Sequence, residues 1–324
     1  MLAFTIRRLS QSVVVLFVMS IIVFAGVYAI GNPVDILINP EADIAEQEET
    51  IRRLGLDKPI WTQYGLFLAN ALQGDLGNSF VHNLPALDII FQRLPATLEL
   101  AFLAVGLAVV FGVPLGMLAG LKPDSVVGRV IMTGSILGFS LPTFWVGLML
   151  IMLFSVNMGW LPASGRGETV DLFGIPVSFL TLDGLSHLFL PAFNLALFKM
   201  SLVIRLARSG TREVLLQDYI KFARAKGVSD ARIIGVHVLK NIMIPVVTVL
   251  GLELGSVIAF AVVTETVFAW PGIGKLLIDS ISHLDRPVVV AYLLLTVTMF
   301  IVINFVVDIL YSILDPRVRL GGAN

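Results

Sequence analysis

"DYIKFARAKGVSDARIIGVHVLKNIMIPVV", Asp218 to Val247, sets a basic run punctuated by small residues directly against the start of a long apolar one. In a soluble protein such a run would be an ordinary solvated face. The rest of this chain makes that reading untenable. Of its 324 residues 57% are hydrophobic and only 14% charged, with a mean hydropathy of +0.92. Soluble globular chains carry about 25% charged residues. The chain is built for lipid, and the quoted run is a surface held against a membrane.

Crossing about 30 Å of hydrocarbon takes roughly 20 apolar residues in a helix. Six stretches qualify: Ser10–Ile30, Leu98–Leu121, Val130–Met158, His187–Ile204, Ile242–Phe268 and Val288–Leu314. The expectation is an all-α polytopic membrane protein with six transmembrane helices. The third, fifth and sixth are long enough to tilt or kink, with Pro142 and Pro245 as places for a kink. Pro114 and Pro191 are tolerable inside spans, because packed neighbours satisfy the freed carbonyls.

Positive residues orient the spans. With the N-terminus in the cytoplasm, fourteen cations fall inside (Arg7, Arg8, Lys122, Arg129, Arg205, Arg208, Arg212, Lys221, Arg224, Lys226, Arg232, Lys240, Arg317, Arg319). Seven fall outside: Arg52, Arg53, Lys58, Arg93, Arg166, Lys275 and Arg286. The first outer loop adds Glu41, Asp43, Glu46, Glu48 and Glu49. Both termini are therefore expected inside. The first span followed by "VYA" (Val27–Ala29) has the look of a cleavable signal. Its apolar run is too long for that, and removing it would turn the basic loop outward.

Four segments follow: residues 1–31 with the first span, an outer region 32–97, a five-helix core 98–314 holding a cytoplasmic loop 207–241, and a tail 315–324. In the outer region, Pro59 suits a helix start and Gly74 its end. Ile60, Trp61, Tyr64, Phe67, Leu68 and Leu72 share one face. Such a helix either lies at the membrane interface or packs on the spans.

Charge bias accounts for the sign of the loop between spans four and five, but not for its length or pattern. "SGTREVLLQDYIKFARAKG" (Ser209–Gly227) reads as helix, with Val214, Leu215, Ile220 and Phe222 available for burial. "VSDARIIGVHVLKN" then restarts one, with Ser229 or Asp230 as N-cap. Two short helices joined at Gly227 are expected beneath the membrane. Small residues at the bend admit a second surface close to the backbone. The physical readings are docking of a partner protein or anchoring to anionic lipid.

The same stretch resembles the cytoplasmic loop of ABC-importer permeases in its dipeptide/oligopeptide/nickel permease form. "LGLDKPIWTQYG", "GDLGNSF", "RLPATLELA", "FSLPTFWVG", "LPASG", "ETVFAWPGIGKLL" and "LDPRVRL" resemble that family's pattern, in order, over nearly the whole chain. Two features depart from the generic loop motif. Lys221-Phe222-Ala223 stands where an acidic residue and two alanines open it, and Pro245 lies farther from Gly227. Both resemble the peptide branch.

The resemblance implies a multi-pass permease subunit of an ATP-driven type I importer in a bacterial inner membrane, carrying short peptides or related cargo. Its implied partners are a homologous second permease subunit, two ATP-binding cassette ATPases and an extracytoplasmic solute-binding protein, with membrane lipid around it. ATP and Mg would sit on the ATPases, and no cofactor on this chain. The coupling segment maps to Ala223, Arg224, Ala225, Lys226 and Gly227, flanked by Asp218, Tyr219, Ile220, Lys221 and Phe222 and by Val228, Ser229 and Asp230.

Independently, nothing in the chain reads as a nucleotide site. Gly274-Lys275 in "WPGIGKLL" lacks the earlier glycine and the following Ser or Thr of a phosphate-binding loop. A net charge of −1 gives no case for nucleic acid, and the absence of cysteine excludes disulfides and thiolate chemistry. The four histidines show no metal-ligand spacing, and no catalytic constellation stands out, so no enzyme is expected.

Ionisable groups within spans are functional candidates. They are Glu253 in span five, Glu265 near its outer end, and Asn304 and Asp308 one turn apart in span six. Lys199 in span four either snorkels or pairs with Glu253. Phe268 and Trp270, after Glu265, form a turn suited to an outer gate. The alternative function is an ion- or proton-coupled secondary transporter with Glu253, Glu265 and Asp308 as relays, but no internal repeat of the kind common there is evident. Gly112, Gly116 and Gly120, and Gly251 and Gly255, have the spacing of close helix packing.

Overall fold

The computed structural model describes residues 2–29, 52 and 57–314, with the side chains of 2–7, 9, 27–29, 308 and 310–314 left out. The acidic residues of the first loop, Arg53, the tail with Arg317 and Arg319, and the side chain of Asp308 lie outside the described residues. The helices are α1 (Leu2–Ala29), α2 (Ile60–Leu72), α3 (Ala86–Leu121), α4 (Val126–Ser140) and α5 (Thr143–Asn157). A hairpin of β1 (Val170–Leu172) and β2 (Ile175–Val177) follows, paired Val170 to Val177. Then come α6 (Leu182–Leu215), α7 (Asp218–Ala225), α8 (Asp230–Val267), α9 (Ile273–Ser282) and α10 (Arg286–Leu314).

Among the described residues, four helices are long and apolar enough to cross a membrane: α3, α6, α8 and Arg286–Val307 of α10. They coincide with four of the six expected spans. The expected first span contains a shorter apolar helix, Ser10–Gly26. The expected third span is not one rod: α4 and α5 meet at 108°. Leu141 and Pro142 are both extended there, with ψ of 137° and 132°. A proline removes an N–H and pushes its predecessor out of helical space, which is the cause of the break. No such break occurs at Pro245, Pro114 or Pro191, each of which lies inside a continuous helix.

Two boundaries also shift. α3 begins at Ala86 with Pro95 inside it, so the division at 97–98 falls within one helix. α6 runs to Leu215 over 34 residues, about 50 Å at 1.5 Å per residue. Much of the expected loop 207–241 is thus the end of one long helix and the start of another.

By internal contacts the chain forms two compact units, residues 1–94 with 275–302 and residues 95–274 with 303–324. In the first, α2 packs on α1. Tyr64 and Ser20 share a hydrogen bond of 2.8 Å, and Phe24 lies 5.2 Å from Tyr64 and 5.6 Å from Phe67, ring to ring. Trp61 and Leu72 on the same helix are exposed, so α2 packs on α1 through one part of its apolar face and leaves another part open. Buried Asp285 accepts from Ser79 Oγ at 2.5 Å and from the Phe80 N–H at 3.0 Å.

The second unit is built on α3, α6 and α8. A Cβ placed on Gly112, Gly116 or Gly120 of α3 would lie 2.9, 2.6 and 2.8 Å from the Cβ atoms of Val203, Ala207 and Thr211 on α6. The glycine stripe is therefore a close helix crossing. A Cβ on Gly251 would meet Val307 in the same way, at 2.9 Å. Val113, Met117, Val203, Ile204, Ile242 and Val246 fill the core of this unit. That core extends to Ile220 and Ile233, which flank the quoted bend.

Candidate functional site

α6 starts beside the hairpin and ends at the quoted segment, so these two features occupy its opposite ends. At the second end the backbone leaves α6 after Leu215, turns at Leu216 and Gln217, and re-enters a helix at Asp218. Ile220 is the buried root of α7, packed in the core with Ile233 of α8. Leu216, Tyr219 and Phe222 are exposed, Phe222 to 62%. Of the residues read as available for burial, Ile220 is buried, Val214 and Leu215 are half-buried, and Phe222 is not.

The bend is a glycine helix cap. The Gly227 N–H donates to the Arg224 carbonyl at 2.9 Å, and the Val228 N–H to that of Ala223 at 3.1 Å. This pattern needs a left-handed residue after the helix, and Gly227 supplies it at φ +78°. Nothing lies within 4 Å of a Cβ built there. The glycine is required by its backbone angle; open space faces the residue.

The charged groups brace the turn. Lys221 Nζ donates to Asp218 Oδ1 at 2.8 Å, and this holds the Asp218 carboxyl below its ordinary range. Arg224 Nε lies 3.8 Å from Asp230 Oδ1 across the bend. The Lys226 ammonium stands 4.5 Å from the Phe222 ring centroid. Tyr219 OH accepts from Asn241 Nδ2 at 3.2 Å, tying α7 to α8. Ser229 occupies the cap position of α8, without a side-chain cap bond. Ala223 is half-buried and Ala225 exposed. The second helix is not short: it passes through a π-helical stretch, Ile233–Val238, into the fifth span.

At the other end, the candidate gate residues form a buried hub. Glu265, Phe268 and Trp270 have almost no exposure. Thr97 Oγ1 donates to Glu265 Oε1 at 2.6 Å and accepts from the Ile273 N–H at 2.9 Å. Trp270 Nε1 donates to the Ala96 carbonyl at 2.9 Å. Gly272 and Gly274 lie against the Glu265 carboxylate so closely that neither position has room for a Cβ. The Gly165 N–H donates to the Phe268 carbonyl at 3.0 Å. Arg166 binds Glu99 Oε1 at 3.0 Å, with its guanidinium 5.9 Å from the Trp270 ring centroid. Ser178 donates to both Glu99 oxygens, from N at 3.0 Å and from Oγ at 2.5 Å.

Thr97, Glu99, Arg166 and Ser178 were not singled out from sequence. Glu99 alone carried a signal, a carboxylate at the head of an apolar run.

Midway along α6 and α8 lies a third group. Lys199 Nζ donates to Glu253 Oε2 at 2.5 Å and to Ser256 Oγ at 2.9 Å. Pairing, not snorkelling, is the state of Lys199. Asn304 is on α10, half-buried.

Residues 112–320 match the family described as binding-protein-dependent transport system inner membrane component. Residues 1–101 match the N-terminal region of such membrane components. The chain is 43% identical over 333 residues to the di/tripeptide transport system permease protein DppB of Pseudomonas aeruginosa, covering 98% of this chain and 99% of the other. It is 39% identical over 321 residues to the oligopeptide transport system permease protein AppB of Bacillus subtilis, covering 98% and 100%. Among solved structures, the inward-facing MetNI methionine ABC transporter matches with a TM-score of 0.55 at 16% identity, over 71% of this chain and 97% of that one.

Proposed function

The chain belongs to the binding-protein-dependent transport inner membrane component family, as a multi-pass permease subunit of an ABC importer, and from that premise we propose that it moves di- or oligopeptides on force received at α7. The observation that carries the proposal is the construction of α7. One buried side chain, Ile220, roots it in the core, while Leu216, Tyr219 and Phe222 face outward. An exposed aromatic and aliphatic cluster rimmed by Lys221, Arg224 and Lys226 is the makeup of a protein-docking patch.

In this reading two ATPase subunits bind nucleotide and Mg and grip residues 218–230 of this chain and the matching segment of a second, homologous permease. A solute-binding protein delivers cargo at the hairpin end, which faces outward, and both termini lie in the cytoplasm with six membrane crossings. A ligand shifts a conformational equilibrium only through differential affinity for its states. ATP, bound elsewhere, acts on this chain through contact at α7. Because Ile220 and Ile233 share a core with α3, α6 and α8, displacement of α7 is carried directly into the spans. The hub around Glu265, Thr97 and Trp270 serves as the fixed outer latch against which they move. Peptide cargo is supported by the di/tripeptide and oligopeptide relatives.

The ion-coupled alternative fits less well, because Glu253 is engaged by Lys199 and Glu265 is sealed against Thr97. The test is reconstitution in proteoliposomes. Uptake of a labelled dipeptide should require ATP, the ATPases and the binding protein; uptake by this chain alone, driven by an ion gradient, would contradict the proposal.

A further inference from the structure

Glu253 is held by one oxygen only. Oε2 accepts from Lys199 Nζ at 2.5 Å and from Ser256 Oγ at 2.7 Å. Oε1 has no hydrogen bond or ion pair among the described residues. Exposure is divided in the same way: the Lys199 side chain is 7% exposed and that of Glu253 37%. The cation is buried between α6 and α8, and the anion is presented at the surface of the unit, mid-span.

Turned to hydrocarbon, the unbonded Oε1 would forfeit its hydration with no donor in its place, so this surface is not lipid-facing. It meets either water in the pathway or another subunit. A permanent contact that satisfied Oε1 with a second cation would leave the cluster with net positive charge, since Lys199 already neutralises Glu253. A transient cation does not carry that standing cost. Pre-pairing also weakens the site, and a transport site must bind firmly enough to admit cargo yet weakly enough to release it. Lys199 and Ser256 hold the carboxylate in one rotamer without occupying its outward oxygen.

We propose that Glu253 lines the translocation pathway and that its Oε1 receives the ammonium end of passing cargo, with Lys199 and Ser256 as positioning residues. The ammonium class rests on the peptide reading above; the lining role does not.

The chain has no cysteine, so Glu253→Cys, assembled with cysteine-free partners, places its sole thiol at the site. A charged, membrane-impermeant methanethiosulfonate should modify it in the reconstituted transporter. A delivered peptide, free or N-acetylated, should slow that modification by occupying the pathway beside position 253. Glu253→Gln, which keeps the shape and the contacts of Oε2, should lower uptake of the free-amine peptide relative to the acetylated one by roughly tenfold, the worth of one charge-assisted hydrogen bond.

The proposal is overturned if position 253 stays unmodified while Phe173→Cys, at the 98% exposed hairpin tip, reacts. It is equally overturned if no delivered peptide slows the modification, or if Glu253→Gln slows both uptakes equally. Failure of the peptide reading is a separate result: the unaltered transporter then shows no ATP-driven peptide uptake at all.

Discussion

The two ends of α6 are built on opposite principles. At the hairpin end, buried side chains from three distant segments close on one another: Thr97 on Glu265, Trp270 on Ala96, and Arg166 and Ser178 on Glu99. Within α7 only Ile220 is buried, and Leu216, Tyr219 and Phe222 beside it stand in the open. Buried polar groups are costly when unpaired, and the carboxylates of Glu99 and Glu265 are both paired at the first end, which favours one arrangement there. The second is held by a helix cap and exposed ion pairs, which are worth little each. One end is fixed by its own contacts; the other leaves an apolar cluster exposed, which the proposed function assigns to a docking partner.

The largest expected effect breaks the fixed end. Trp270→Ala removes a fully buried ring and its bond to Ala96, at a cost of about 3–5 kcal/mol, and thermal unfolding of the assembled transporter should show it. Gly272→Ala should act in the same direction, by driving a methyl group into the Glu265 carboxylate.

Gly227→Val separates the two ends next. The left-handed angle costs a branched residue about 1–2 kcal/mol, concentrated in the cap of α7, enough to shift its docked population by up to roughly tenfold. ATP hydrolysis should continue while peptide uptake falls, with the melting temperature of the assembly little changed. Phe222→Ala should be smaller still: a several-fold loss of uptake with stability unchanged within about 0.5 kcal/mol, as for exposed positions generally.

Asp218→Asn should have the least effect. Lys221 lowers the Asp218 carboxyl, so its slight stabilisation is present above the ordinary carboxylate range and lost as pH falls below that range through the lowered folded value. Between pH 6 and 8 uptake and melting should be flat for both the variant and the parent.

How legible each end was follows from the same contrast. The α7 segment is local: cations, small residues and Gly227 lie within thirteen positions, and helix, glycine bend and restart could be read in order. Periodicity did not show where α6 ends, because its last turns are polar and only the break at Leu216 marks the limit. The fixed end depends on pairings such as Thr97 with Glu265, 168 residues apart, which no local pattern encodes. Pro142 marked a weak point in the third span, yet a proline specifies a missing bond and not a 108° turn. Lys199 and Glu253 stood out as charges in apolar runs, but their pairing depended on the rotation of two helices.

The most direct test of the central idea uses the cysteine-free chain once more. With Phe222→Cys or, separately, Phe173→Cys in the assembled transporter, cross-linking to a cysteine scanned across the ATPase is measured with and without nucleotide. The account predicts a cross-link from position 222 whose yield changes with nucleotide, and none from position 173. A cross-link from 173, or none from 222 in a complex that still transports, would contradict it.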